Sequence, residues 1–137
     1  MKKSIITSVI SILIILSGCN SSEKFTEVIE GNVEKIVVES EVAVPGKEVT
    51  YSTNNKEIIR DFLDMMDSMP FEKTNRSSSV FEETYKLYNK DNELIETVIF
   101  VGENIAIMNG DQYEIDGEKL GDFTEQFYVN KNVLKKN

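Results

Sequence analysis

The stretch 94-LIETVIFVGENIAIMNGDQYEI-115 decides the fold of this chain. It contains three short runs rich in β-branched and aromatic residues, each of strand length: Leu94–Val101, Ile105–Met108 and 112–115. Turn residues separate the runs, first Gly102-Glu103-Asn104 and then Asn109-Gly110. Asn109-Gly110 is the sharper signal, because a two-residue type I′ turn needs positive φ at both positions. The stretch therefore predicts an antiparallel meander.

Three further segments upstream have strand character. Residues 81–88 end at the polar turn 90–93, which adds one strand to the meander. Residues 34–44 carry an apolar stripe that Ser40 interrupts, and it consists of Ile36, Val38, Val42 and Val44. Pro45-Gly46 ends or turns this segment, and residues 47–51 extend it as a short second strand. We expect the 34–44 strand to lie beside the meander, because that position buries its stripe.

Two segments have helical spacing. Asn54 followed by Glu57 indicates a helix start, and apolar residues from Ile58 to Met69 then recur at helical intervals until Pro70. Leu120, Phe123 and Phe127 recur at i, i+3 and i+7, so residues 118–128 form a second predicted helix. The sequence thus predicts an α+β fold: an antiparallel β-meander of about five strands with two amphipathic helices packed on one face.

The first residues have the organisation of a secretory signal. Lys2 and Lys3 precede residues 5–16, twelve residues that are apolar except for Thr7, Ser8 and Ser11. A helix needs about 20 apolar residues to span a bilayer, so this run is too short for that role. It matches the apolar region of a signal peptide.

The residues Leu16-Ser17-Gly18-Cys19 that follow resemble the lipobox of bacterial lipoproteins. In that family the cysteine thiol receives a diacylglyceryl group and the chain is cleaved before it. The resemblance implies that Cys19 becomes the acylated first residue, on the extracytoplasmic face of the cell membrane. The alternative, a buried structural thiol, leaves the preceding signal unexplained. The remaining chain is similar in general character to small lipoproteins of Gram-positive bacteria.

This organisation divides the chain into four parts. Residues 1–18 are the signal peptide, 19–32 the lipid-bearing cysteine and a flexible tether, 33–128 a single α+β domain and 129–137 a tail. Loss of residues 1–18 leaves 119 residues and changes the formal net charge from −9 to −11, because Lys2 and Lys3 are removed. Such a charge opposes binding to nucleic acid. We expect contact with the membrane through the lipid alone, and a protein or peptide partner.

The residue types present exclude most catalytic systems. The chain has no histidine and no tryptophan, and Cys19 is its only cysteine. It therefore lacks Ser-His-Asp and Cys-His nucleophile systems and the usual zinc ligands. Glycosidases use a pair of carboxylates, and three clusters of acidic residues could supply one: Glu82-Glu83, Asp91 with Glu93, and Asp111 with Glu114 and Asp116. Sugar-binding clefts usually contain tryptophan, however, and the chain has none. The turn at 89–94 has Leu94 where a calcium loop needs glycine. The sequence predicts a protein that is not an enzyme, with no metal or cofactor.

Candidate binding residues are few. Lys73 and Arg76 place basic charge in the polar segment 71–79 of an acidic protein, although a solvated connector would have the same composition. Tyr88 has opposite strand parity to Tyr85, so one of the two faces away from the core, either as an anchor for a partner or as a cross-strand aromatic. Two functions stay open. One is an interaction module for an envelope protein or peptide, and the other is an inhibitor or immunity protein that neutralises a basic extracellular enzyme.

Overall fold

The computed structural model describes residues 24–44, 47–76, 82–129 and 135–136. Within these ranges the helices are α1 (Phe25–Val28), α2 (Lys56–Ser68) and α3 (Gly117–Val129). The strands are β1 (Lys35–Val44), β2 (Lys47–Thr53), β3 (Glu72–Lys73), β4 (Glu82–Tyr88), β5 (Leu94–Val101), β6 (Ile105–Met108), β7 (Asp111–Glu114) and β8 (Lys135–Lys136). The predicted signal peptide, Cys19, the Pro45-Gly46 turn and residues 77–79 lie outside the described residues.

The strands form one antiparallel sheet in the order β3-β7-β6-β5-β4-β1-β2-β8. This confirms the predicted α+β class and the meander, which runs from β4 to β7. It also confirms that the first strand lies beside the meander, since β1 pairs with β4. The predicted number of about five strands is too low, because the described sheet has eight. Two of the additional strands, β3 and β8, have only two residues each, too few to show an alternating pattern.

The Asn109-Gly110 turn has the backbone conformation that the sequence predicts. Asn109 has φ 52° and Gly110 φ 80°, and Met108 pairs directly with Asp111 across the turn. The two-residue turn fixes the register of the hairpin, because a slip by one residue would move every side chain to the other face. Ala106 consequently lies opposite Tyr113.

The helix α2 begins one residue later than predicted. Its N-cap is Asn55 rather than Asn54, and the Oδ1 of Asn55 accepts a hydrogen bond from the Glu57 backbone N–H at 2.9 Å. Thr53 at the end of β2 accepts from the Asn55 N–H at 3.1 Å, which sets the position of the cap. The predicted second helix is confirmed as α3. Asp116 Oδ1 accepts from the first backbone N–H groups of α3, those of Glu118 and Lys119.

All three helices pack on the same face of the sheet. Tyr85 of β4 lies at the centre of the core, where its ring stacks on Phe62 of α2 at 5.2 Å between centroids and meets Phe100 of β5 edge-on at 5.2 Å. Phe123 of α3 packs against both Phe62 and Tyr85. Tyr85 is fully buried, whereas Tyr88 lies on the opposite face of the sheet, as the parity argument predicts.

The packed domain begins before the predicted boundary at residue 33. Phe25 of α1 is 95% buried and belongs to the core, so at least residues 25–28 of the expected tether are folded. A four-residue helix shows no periodicity in sequence, and Phe25 stands among polar neighbours, which explains the difference. At the other end, β8 of the predicted tail pairs with β2 at the edge of the sheet.

Candidate binding site

A pocket of about 300 Å³ opens at the end of the helix-covered face, between α1, the start of β3 and the β6–β7 hairpin. Its apolar lining comes from Phe25, Val28, Phe71, Met108 and Tyr113. Two polar side chains complete it, Glu96 and Asn109. The volume is at the lower end of the range for small-molecule sites, so the pocket has room for a side chain or a short peptide segment.

Sheet register places two of the apolar residues. Met108 of β6 and Tyr113 of β7 point to the helix-covered face on either side of the Asn109-Gly110 turn. Phe71 directly precedes β3, which pairs with β7 through Lys73 and Tyr113. The rings of Phe71 and Tyr113 are perpendicular, with 6.0 Å between their centroids and 86° between their planes. This pair forms two aromatic walls of the pocket.

The helix α1 forms a third wall. Phe25 and Val28 are three residues apart and therefore lie on one side of the helix. Phe25 is buried in the core, whereas Val28 lines the pocket and is 53% exposed. Asp67 of α2 holds α1 in place by accepting two hydrogen bonds from Thr26, one from its backbone N–H at 2.8 Å and one from its hydroxyl at 2.7 Å.

Glu96 supplies the charge of the pocket. Glu96 pairs directly with Leu87, a buried residue of β4, so its side chain lies on the helix-covered face. The Glu96 Oε1 accepts from the Thr97 N–H at 2.8 Å, and Oε2 accepts from the Asn109 amide at 3.2 Å. Each carboxylate oxygen has two lone pairs, so Glu96 retains capacity to accept a hydrogen bond from a ligand.

The three binding residues predicted from sequence do not form one site. Lys73 Nζ pairs with Asp111 Oδ2 at 2.8 Å, and Arg76 Nη1 pairs with Glu114 Oε1 at 3.3 Å. Both pairs connect β3 and the segment after it to β7. The hydrogen bond to Asp111 and the charge of that carboxylate raise the pKa of Lys73, with a smaller contribution from Tyr113.

Tyr88 lies far from these two residues. Three strands, β5, β6 and β7, separate its strand from β3, and its ring lies on the face of the sheet opposite the helices. The Lys35 Nζ is 4.7 Å from the centre of the Tyr88 ring, a cation–π contact within the sheet. Of the residues predicted for binding, only Lys73 lies next to the pocket, since it pairs with Tyr113.

Some of the pocket residues depart from the pattern of the sequence around them. Glu96 has the same parity as Val98 and Phe100, so it is a charge within a core-facing stripe. Phe25 and Phe71 are single aromatic residues in otherwise polar segments. Each of these could have been noted as an exception to its surroundings, but sequence alone does not show that the three side chains meet.

A second polar group, Glu83, is buried away from the pocket. Glu83 Oε1 accepts from the Ser40 hydroxyl at 3.1 Å, and Oε2 lies 3.5 Å from the Tyr85 hydroxyl. This cluster explains why Ser40 interrupts the apolar stripe of β1. The Ser40 and Tyr85 hydroxyls provide hydrogen-bond donors for the buried carboxylate of Glu83, which is a structural role.

Neither a cluster of metal ligands nor a membrane-spanning helix is found in the described ranges. Among the described residues, no three or more histidine, cysteine, aspartate or glutamate side chains are grouped closely enough to hold a metal ion. In the same part of the chain, no helix has both the length and the hydropathy needed to cross a bilayer. Comparisons with protein-family models, curated proteins and solved structures found no match to this chain.

Proposed function

We propose that this chain is a lipid-anchored, extracytoplasmic binding module with no catalytic role, and that it holds part of an envelope protein or peptide in the pocket beside α1. The observation that carries the proposal is the pocket itself. Its walls are aromatic, its rim includes the exposed Val28, and one carboxylate, Glu96, lies within it. An apolar pocket with few polar groups is the usual form of a binding site.

The proposed anchor supports this function by its position. A diacylglyceryl group on Cys19 carries two acyl chains, which is enough for stable attachment to a bilayer. Phe25, which lines the pocket, follows Cys19 by six residues. An extended chain spans at most about 3.6 Å per residue, so Phe25 would lie within about 22 Å of the lipid-bearing residue. A partner at the membrane surface is then within reach.

The proposal of no catalytic role rests on the residue types that the pocket can contain. With no histidine in the chain and its only cysteine proposed to carry lipid, the pocket cannot contain a histidine base or a thiol nucleophile. Its single carboxylate, Glu96, accepts hydrogen bonds from Thr97 and Asn109. Acid–base hydrolysis of a glycoside needs a second carboxylate about 5–9 Å away, and none lines the described pocket.

Photocrosslinking in intact cells tests the proposal. A benzophenone amino acid at Val28 reports on the rim of the pocket, and the same amino acid at Asp61, exposed on α2 and outside the pocket, is the matched control. We expect a discrete adduct from Val28 that is absent from Asp61 and becomes weaker when Phe71→Ala removes one aromatic wall of the pocket. No adduct from Val28, or the same adducts from both positions, would contradict the proposal.

The excess of acidic residues favours a second candidate, an inhibitor or immunity protein for a basic extracellular enzyme. The formal net charge is −9 for the full chain, a property that accelerates association with a basic partner. The two functions differ in salt dependence. Affinity for a basic enzyme through the whole surface should fall steeply with added salt, whereas a pocket contact should be less sensitive.

A further inference from the structure

We infer that the pocket binds a lysine side chain of the partner protein, an inference that rests on the proposed binding function. The lining residues have one charge, that of Glu96, and no lysine or arginine is among the described residues that line the pocket. The pocket therefore complements a single positive charge. An acidic side chain would meet the like charge of Glu96.

The aromatic walls add a second preference for a cation. The faces of aromatic rings attract ammonium groups, and the perpendicular rings of Phe71 and Tyr113 both line the pocket. Phe25 lines the same space from the α1 side. A carboxylate and aromatic rings that line one pocket form the kind of site that binds alkylammonium ions.

The apolar part of the lining fits the stem of lysine. Lysine buries its four-carbon stem along apolar surfaces while its charged end finds a polar partner. Val28 and Met108 offer such a surface, and Val28 is exposed enough to contact the stem at the entrance. Glu96 accepts hydrogen bonds from Thr97 and Asn109, which orient its carboxylate before a ligand binds.

A pair of peptides tests this inference on the full lipid-bearing chain, purified from membranes in detergent and labelled for NMR. Acetyl-Gly-Gly-Lys-Gly-Gly-amide carries the ammonium group, and the same peptide with norleucine keeps the four-carbon stem without the charge. We expect the lysine peptide to shift the resonances of Val28, Met108 and Tyr113 in a saturable manner. Removing a charge-assisted hydrogen bond should weaken binding of the norleucine peptide by about tenfold.

Two variants test whether Glu96 and Phe71 cause the preference for the lysine peptide over the norleucine peptide. Glu96→Gln keeps an oxygen that can accept from the Thr97 N–H and should remove most of the preference for lysine over norleucine, whereas Glu103→Gln, an exposed glutamate in the β5–β6 turn, should leave it intact. Phe71→Leu keeps an apolar side chain but removes a ring, and should reduce the preference about threefold. The ratio of the two affinities would not change if these residues had only structural roles.

The possible outcomes separate the inference from the proposed function. Equal binding of the two peptides, an undiminished preference in Glu96→Gln, or no shifts with the lysine peptide would overturn the inference. If the Val28 adduct still forms in cells in any of these cases, the binding function stands and the partner presents a different group. Choline that binds more tightly than the lysine peptide would instead indicate a lipid or polymer headgroup and overturn the inference.

Discussion

Gly117 lies so close to the β5–β6 turn that even a methyl side chain does not fit there. It begins α3, and a Cβ atom there would collide with the backbone carbonyl oxygen of Glu103 in the β5–β6 turn. Gly121, one turn later in the same helix, has open space around the corresponding position. The difference arises because the β5–β6 turn lies against the first residue of α3, where Ile115 also donates a backbone hydrogen bond to the Asn104 carbonyl at 2.9 Å.

We predict that Gly117→Ala lowers the free energy of unfolding by about 2 kcal/mol, because the turn or the helix must shift to admit a methyl group. The matched Gly121→Ala should raise it by about 0.5–1 kcal/mol, since alanine is the better helix former. Denaturant unfolding of the two variants measures both changes. Equal effects of the two substitutions would contradict the close packing of the turn on α3.

The raised pKa of Lys73 makes part of the stability of the fold depend on pH. Asp111 holds the ammonium form through a hydrogen bond and its charge, so the pKa of Lys73 in the folded protein is above its ordinary value of 10.5. A raised lysine pKa stabilises the fold at pH values below the ordinary pKa, and this contribution disappears as the pH rises through the folded value. At neutral pH Lys73 therefore carries its full positive charge in the folded protein.

We expect Asp111→Asn to lower the pKa of Lys73 toward 10.5, because both the charge and the carboxylate acceptor are lost. A pH titration of the Lys73 side-chain carbon resonance measures the shift. Asp122→Asn, an exposed carboxylate on α3, is the control and should leave that pKa unchanged. The pairing is contradicted if Lys73 titrates identically in the wild type and in Asp111→Asn.

Among the elements, α1 is the one whose attachment can be loosened separately. It is a single turn held by the burial of Phe25 and by the two hydrogen bonds from Thr26 to Asp67. Short helices gain little stability from their own backbone, so the contacts with α2 decide whether α1 forms. Because α1 is a wall of the pocket, the same contacts decide whether the pocket keeps its shape.

We predict that Asp67→Ala increases amide hydrogen exchange in residues 25–29 at least several-fold while changing global stability by only about 1 kcal/mol. The exchange increases because Thr26 loses both acceptors and α1 opens more often. Asp64→Ala, one turn earlier on α2, should leave exchange in α1 unchanged. Unaltered protection of residues 25–29 in Asp67→Ala would show that Phe25 alone holds the helix.

The elements also show which structures the sequence could predict. Leu94–Val101 and Ile105–Met108 were predicted to the residue, because clear turn signals flank strongly β-forming runs. The positive φ of Asn109 and Gly110 followed from the turn type. The single turn α1 and the two-residue strands β3 and β8 could not be predicted, because they are shorter than the period that would reveal them.

At the scale of the whole molecule, the fold was more predictable than the site. Burial of the stripe containing Ile36 and Val38 was enough to place β1 beside the meander, where the structure pairs it with β4. The pocket combines segments around Phe25, Phe71, Glu96 and Tyr113, which are separated in sequence and meet only after the sheet has formed. Lys73 and Arg76 were predicted as binding residues because they are basic in an acidic protein. In the structure both form ion pairs with carboxylates of β7.

The location of the molecule is the central claim, because the proposed partner at the membrane surface requires it. Intact mass spectrometry of the protein from the membrane fraction tests this most directly. We predict a chain that begins at Cys19 and carries the added mass of a diacylglyceryl group, and Cys19→Ala should yield only an uncleaved chain without lipid. A wild-type chain of all 137 residues with a free thiol, recovered from the soluble fraction, would contradict the account.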